Sequence, residues 1–130
     1  MKSGSKLLYA IGFVFNCIAI VALIIIVALF GVALGGGPLI IEQVAQDIQQ
    51  TVEYVRETIL IAEIVCGVEL AIHFALLFVV LYARKSLIKK TGNVSPHLLI
   101  LLAGIFSFNL FYLLGGIFGM VAASNDNEDE

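Results

Sequence analysis

The stretch TILIAEIVCGVELAIHFALLFVVLYA, residues 58–83, decides how this chain is read. It is long enough to cross a bilayer as a helix, which takes roughly 20 predominantly apolar residues. Yet Glu63, Glu69 and His73 sit inside it. Ionisable groups are costly in hydrocarbon and are kept there facing protein or water, so a functional role is the first hypothesis for them.

Two further apolar runs, 7–34 and 98–123, have the same length character. With 61% hydrophobic and only 13% charged residues, a soluble domain of this size has too little interior to hide its apolar surface. The expected fold is an all-α integral membrane protein with three transmembrane helices, one domain over 1–130. The run at 7–34 follows Lys2 and Lys6 and is about twice as long as a signal h-region, so it reads as a retained span. Neither a myristoylation nor a prenylation signal is legible.

Lys and Arg set orientation by staying on the cytoplasmic side. Lys2 and Lys6 precede the first run, and Arg84, Lys85, Lys89 and Lys90 follow the second. Glu42, Asp47, Glu53 and Glu57 lie between the first two runs, and 124–130 is acidic. Three spans reconcile these charges, with the N-terminal residues and the 84–97 loop inside and 35–57 and the acidic tail outside. The 84–97 cations also suit anionic lipid headgroups, where each adds about 1 kcal/mol. Asn93-Val94-Ser95 fits the glycosylation pattern but falls on the wrong side of the membrane for it.

Gly35-Gly36-Gly37-Pro38 ends the first helix, and Pro38 suits the first position of the next. From there Ile41, Val44, Ile48, Val52, Val55 and Ile59 recur at three- and four-residue steps, forming one stripe on a helix. Glu and Gln fill the other sides. No turn signal separates this pattern from the second span, so the expectation is one rod from Pro38 to Lys90, with an amphipathic extension at 38–57. Interfacial helices carry Lys and Arg on their polar face; this one is acidic, which favours packing against protein. Cys66, His73 and Leu77 continue the stripe's line inward, and Glu69 falls at its edge.

Counted from the basic ends, Asn16, Cys17, His73, Ser107 and Asn109 reach a common depth, with Glu69 about one turn farther out. Glu69 and His73 are four apart and can pair. The polar cluster Glu63, Glu69, His73, Asn16 and Asn109 reads either as a hydrogen-bonded clasp between helices or as a proton or cation relay. Glu-x-x-x-His supplies too few ligands for a metal site, and no cofactor is expected. Cys17 and Cys66 read as reduced, buried thiols. Gly31-x-x-x-Gly35 and Gly115-x-x-x-Gly119 allow close helix approach, placed by this topology toward the outer leaflet.

No nucleophile–base set, phosphate loop or nucleic-acid footprint is visible, and the soluble parts are too small for an enzyme site. Lys6-Leu7-Leu8 followed by Phe13-Val14-Phe15-Asn16 is similar to the first span of tetraspanins. The chain has neither the four spans nor the Cys-Cys-Gly outer domain of that family, and nothing is carried over. The expected role is an accessory or structural subunit of a membrane assembly, docking on other membrane subunits or copies of itself through the stripe. The alternative is a homo-oligomeric channel or transport component built on Glu63, Glu69 and His73.

Overall fold

A computed structural model describes residues 2–36, 38–89 and 92–128. The described residues form five helices: α1 Lys2–Gly35, α2 Pro38–Asp47, α3 Val52–Lys89, α4 Ser95–Phe106 and α5 Leu110–Glu128. Two of them, α1 and α3, are long and apolar enough to cross a membrane. Only 6% and 17% of their most apolar windows are buried, so the chain does not cover these surfaces itself. The chain forms two compact units, one of residues 1–19 with 73–130, the other of residues 20–72.

In the first unit the third apolar run is not the single helix expected over 98–123. It breaks at Ser107-Phe108-Asn109 and folds back as a helical hairpin. The break is a complete helix stop. Asn109 N–H donates to Gly104 C=O at 3.0 Å and Phe108 N–H to Ile105 C=O at 3.4 Å, the paired bonds of a Schellman ending. Phe108 takes the left-handed position, with φ 51°. Asn109 then caps α5, its Oδ1 accepting from Tyr112 N–H at 3.3 Å.

Glycines let the hairpin close. A Cβ on Gly104 would strike the Leu113 backbone, and one on Gly116 would lie 2.8 Å from Leu101 N. Helix α5 also packs on the first half of α1. Ser5 Oγ donates to Gly115 C=O at 2.9 Å, and Asn109 Nδ2 donates to Gly12 C=O at 3.3 Å. Ser5 precedes Gly12 while Gly115 follows Asn109, so the two helices are antiparallel. Helix α3 is antiparallel to α1 as well, with His73 beside Asn16 and Arg84 beside Tyr9. The consequence is a shared end. The start of α1, the end of α3, the start of α4 and the last turns of α5 all lie at one end of this unit, and the 107–109 turn lies at the other.

At that shared end His97, expected in an exposed loop, is fully buried in the first turn of α4. Its ring stacks on Tyr9, centroids 5.9 Å apart, and Tyr9 OH and His97 Nδ1 are hydrogen-bonded at 2.7 Å. Gly119 makes the room, because a Cβ there would sit 2.5 Å from Tyr9 OH and 2.6 Å from His97 Nδ1. The Gly115/Gly119 pair therefore receives the beginning of α1, not its Gly31 end.

In the second unit the expected rod from Pro38 to Lys90 is interrupted. Helix α2 stops at Asp47 and α3 starts at Val52. The stop repeats the hairpin's chemistry. Gln50 N–H donates to Ala45 C=O at 2.9 Å, Gln49 N–H donates to Gln46 C=O at 3.2 Å, and Gln49 has φ 56°. Thr51 Oγ1 accepts from Tyr54 N–H at 3.2 Å and caps α3. The stripe is thereby divided. Ile41 and Val55 are buried with Ala45, against Leu34 and Ile59, while Val44, Ile48 and Val52 stay exposed. The bend re-phases the pattern, so half of the expected docking stripe packs on the chain itself.

Candidate functional site at the hairpin tip

The 107–109 turn comes level with the middle of α1, and polar side chains gather there. Asn16 is fully buried on α1, and His73 is 8% exposed on α3. Asn16 Nδ2 donates to the His73 backbone C=O at 2.9 Å. A carbonyl only accepts, so this bond fixes which way the amide points. Asn16 Oδ1 is then turned to His73 Nδ1, and a close hydrogen bond joins them. Since the amide oxygen only accepts, Nδ1 carries the proton. Ser107 Oγ returns to Ala103 C=O at 2.6 Å, and Asn109 is held by Gly12 C=O.

These groups border a cleft of about 260 Å³, lined by Asn16, His73, Ser107 and Asn109 with Phe15 and Phe111. The two phenyl rings stack at 5.0 Å between centroids. Phe108 stands at the rim with 95% of its surface exposed. The cleft is thus mainly aromatic, with its polar atoms concentrated around one imidazole.

Of the expected polar cluster, Asn16, His73 and Asn109 come together, joined by Ser107. Glu63 and Glu69 do not join them and belong to the other unit. There Glu63 is half-buried facing the small Gly31, whose built Cβ would lie 3.5 Å from Glu63 Oε1. Glu69 is half-buried too. Among the described residues neither carboxylate has a hydrogen bond or ion pair. The expected Glu69–His73 pair is replaced by Asn16–His73, because Asn16 offers the ring and its carbonyl two bonds at once. Sequence depth-counting found Asn16, His73, Ser107 and Asn109. It missed Phe15, Phe108 and Phe111, whose only signal was their nearness to those polar residues.

At the opposite end of the unit Arg84, Lys85 and Lys89 are exposed, and Lys90 lies outside the described residues. Among the described residues the buried His97 Nε2 has no hydrogen-bond partner. Tyr9 and Tyr112 are fully buried packing groups. Cys17 and Cys66 are free thiols. Among the described residues no three His, Cys, Asp or Glu side chains converge as a metal site would require. Comparison of the chain with protein-family models, with curated proteins and with solved structures returned no match.

Proposed function

We propose that the chain is an integral membrane protein in which α1 and α3 cross the bilayer and the α4–α5 hairpin enters it halfway and returns. Helix α4 is 12 residues, about 18 Å, against a hydrocarbon core of about 30 Å. Its turn carries polar backbone, which is tolerated at membrane depth where protein buries it or a cavity meets it. In this arrangement Lys2, Lys6, Arg84, Lys85 and Lys89 share the cytoplasmic side, as Lys and Arg require. The last turn of α5, with Asp126 and Glu128, joins them there. Acidic residues contribute little to orientation, so they do not oppose this. The exposed Arg84, Lys85 and Lys89 then meet anionic headgroups.

Within that frame the protein acts as an accessory or structural subunit of a membrane assembly. The observation that carries this reading is the pair Glu63 and Glu69, half-buried on an apolar helix and without a hydrogen-bond partner among the described residues. Polar groups at such positions face a bundle interior or water. Neighbouring polypeptide packed around α3 satisfies them, and Val44, Ile48 and Val52 are further exposed apolar side chains outside the apolar run.

The test is the mass of the native particle in mild detergent. The proposal expects a particle well above one 14.0 kDa chain plus its micelle, reduced by Glu63→Leu with Glu69→Leu or by Val52→Asp. A single-chain particle, or an assembly indifferent to these changes, contradicts it.

A further inference from the structure

We infer that the cleft at the hairpin tip binds the hydroxyl-bearing ring of a quinol-type lipid, with the hydroxyl donating to His73 Nε2. The inference starts from the tautomer. Asn16 is locked by the His73 backbone carbonyl, and its oxygen takes the Nδ1 proton. In the neutral ring the other nitrogen, Nε2, is therefore an acceptor. Among the described residues nothing donates to it. The other polar side chains at the cleft spend donors on backbone carbonyls, Ser107 Oγ on Ala103 and Asn109 Nδ2 on Gly12. His73 Nε2 and the Ser107 hydroxyl oxygen remain as acceptors in an aromatic enclosure, and the complement is a ring that carries a hydrogen-bond donor.

Size and depth narrow the class. About 260 Å³ is below the roughly 300–1,000 Å³ of ordinary ligand pockets, so the cleft takes a single substituted ring and leaves a tail outside. Phe15 and Phe111 are stacked along its wall, half-buried Ala19 lines it, and exposed Phe108 borders the opening. A site level with the middle of α1 also needs a ligand whose hydroxyl travels deep in hydrocarbon. A quinol ring does so, whereas a sterol keeps its hydroxyl at the headgroup level. The inference rests on the proposed membrane arrangement but not on the proposed partner.

The experiment uses the full chain in lipid nanodiscs, titrated with a decyl-tailed benzoquinol under anaerobic conditions. Parallel titrations use the corresponding quinone, the quinol dimethyl ether and cholesterol. The quinol is expected to saturate the protein one to one. The quinone and the ether, which have no hydroxyl, bind about tenfold more weakly, the worth of one buried hydrogen bond. Ala19→Leu narrows the cleft while leaving Asn16 and His73 intact, and it weakens quinol binding at least tenfold with unchanged thermal stability. Equal binding of quinol, quinone and ether, preference for cholesterol, indifference to Ala19→Leu, or no binding overturns the inference. Particle mass is measured on the same sample, so a failed ligand and a failed assembly are read separately.

Discussion

Replacing Gly119 with Ala adds one methyl group, and its effect depends wholly on where α5 runs. In the hairpin that methyl would sit 2.5 Å from Tyr9 OH and 2.6 Å from His97 Nδ1, and 2.9 Å from His97 Cγ. None of these atoms has room to give, because Tyr9 and His97 are both fully buried and stacked. Overpacking of this kind costs about 1–3 kcal/mol. Driving the rings apart also breaks the 2.7 Å bond between them, leaving buried polar atoms unpaired for about 1–3 kcal/mol more. Ala's better helix propensity returns about 1 kcal/mol, so the expected net destabilisation is about 1–5 kcal/mol. Gly67→Ala supplies the control, since its Cβ would meet nothing within 4 Å and Ala is favoured over Gly in a helix interior by about 1 kcal/mol. The same chemical change should thus lower stability at one glycine and raise it at the other. Reversible unfolding in mixed micelles, followed by circular dichroism, measures both. Gly119→Ala matching or exceeding wild-type stability would refute α5's return along α1.

The two helix stops make a second prediction. Gln49→Gly and Phe108→Gly should each stabilise by about 1 kcal/mol in the same assay, because a side chain in the left-handed region costs about 1–2 kcal/mol and glycine does not bear it. Asn16→Leu should destabilise by about 1–3 kcal/mol, since it orphans both the His73 carbonyl and its Nδ1 proton. Ile41→Asp should unfold residues 20–72, whereas Ile48→Asp should spare their stability while lowering the particle mass, which separates the buried from the exposed part of the stripe.

Much of the helical content was legible, because 7–34 and 58–83 are long, predominantly apolar runs without a helix-breaking proline. The two breaks were not. Helix stops are read from glycine, and here Gln49 and Phe108 occupy the glycine position. What the sequence did carry was the other half of each break, Thr51 and Asn109, both residues that cap a following helix. The side of the acidic tail is not legible from its charges, because acidic residues scarcely steer insertion. Depth-counting brought Asn16, His73, Ser107 and Asn109 to one level because α1, α3 and α4 each run regularly from a basic end, while Cys17, counted to the same depth, does not line the cleft. It failed for Glu63 and Glu69, whose distance along α3 carries them out of the 73–130 bundle. His97 was misread because a polar residue after a basic loop looks solvated. Only the gap at Gly119 shows that a ring fits there.

The account depends most on the hairpin's return, and side-specific labelling of single cysteines tests it directly. In a chain with Cys17 and Cys66 replaced by Ala, cysteines are placed one at a time at the exposed Ser3, Gln46, Ser95 and Asn125. Sealed vesicles of known orientation are then treated with a membrane-impermeant thiol reagent. Ser3→Cys, Ser95→Cys and Asn125→Cys should react from one side and Gln46→Cys from the other. Labelling of Asn125→Cys from the Gln46 side would mean a third full crossing and would contradict the account.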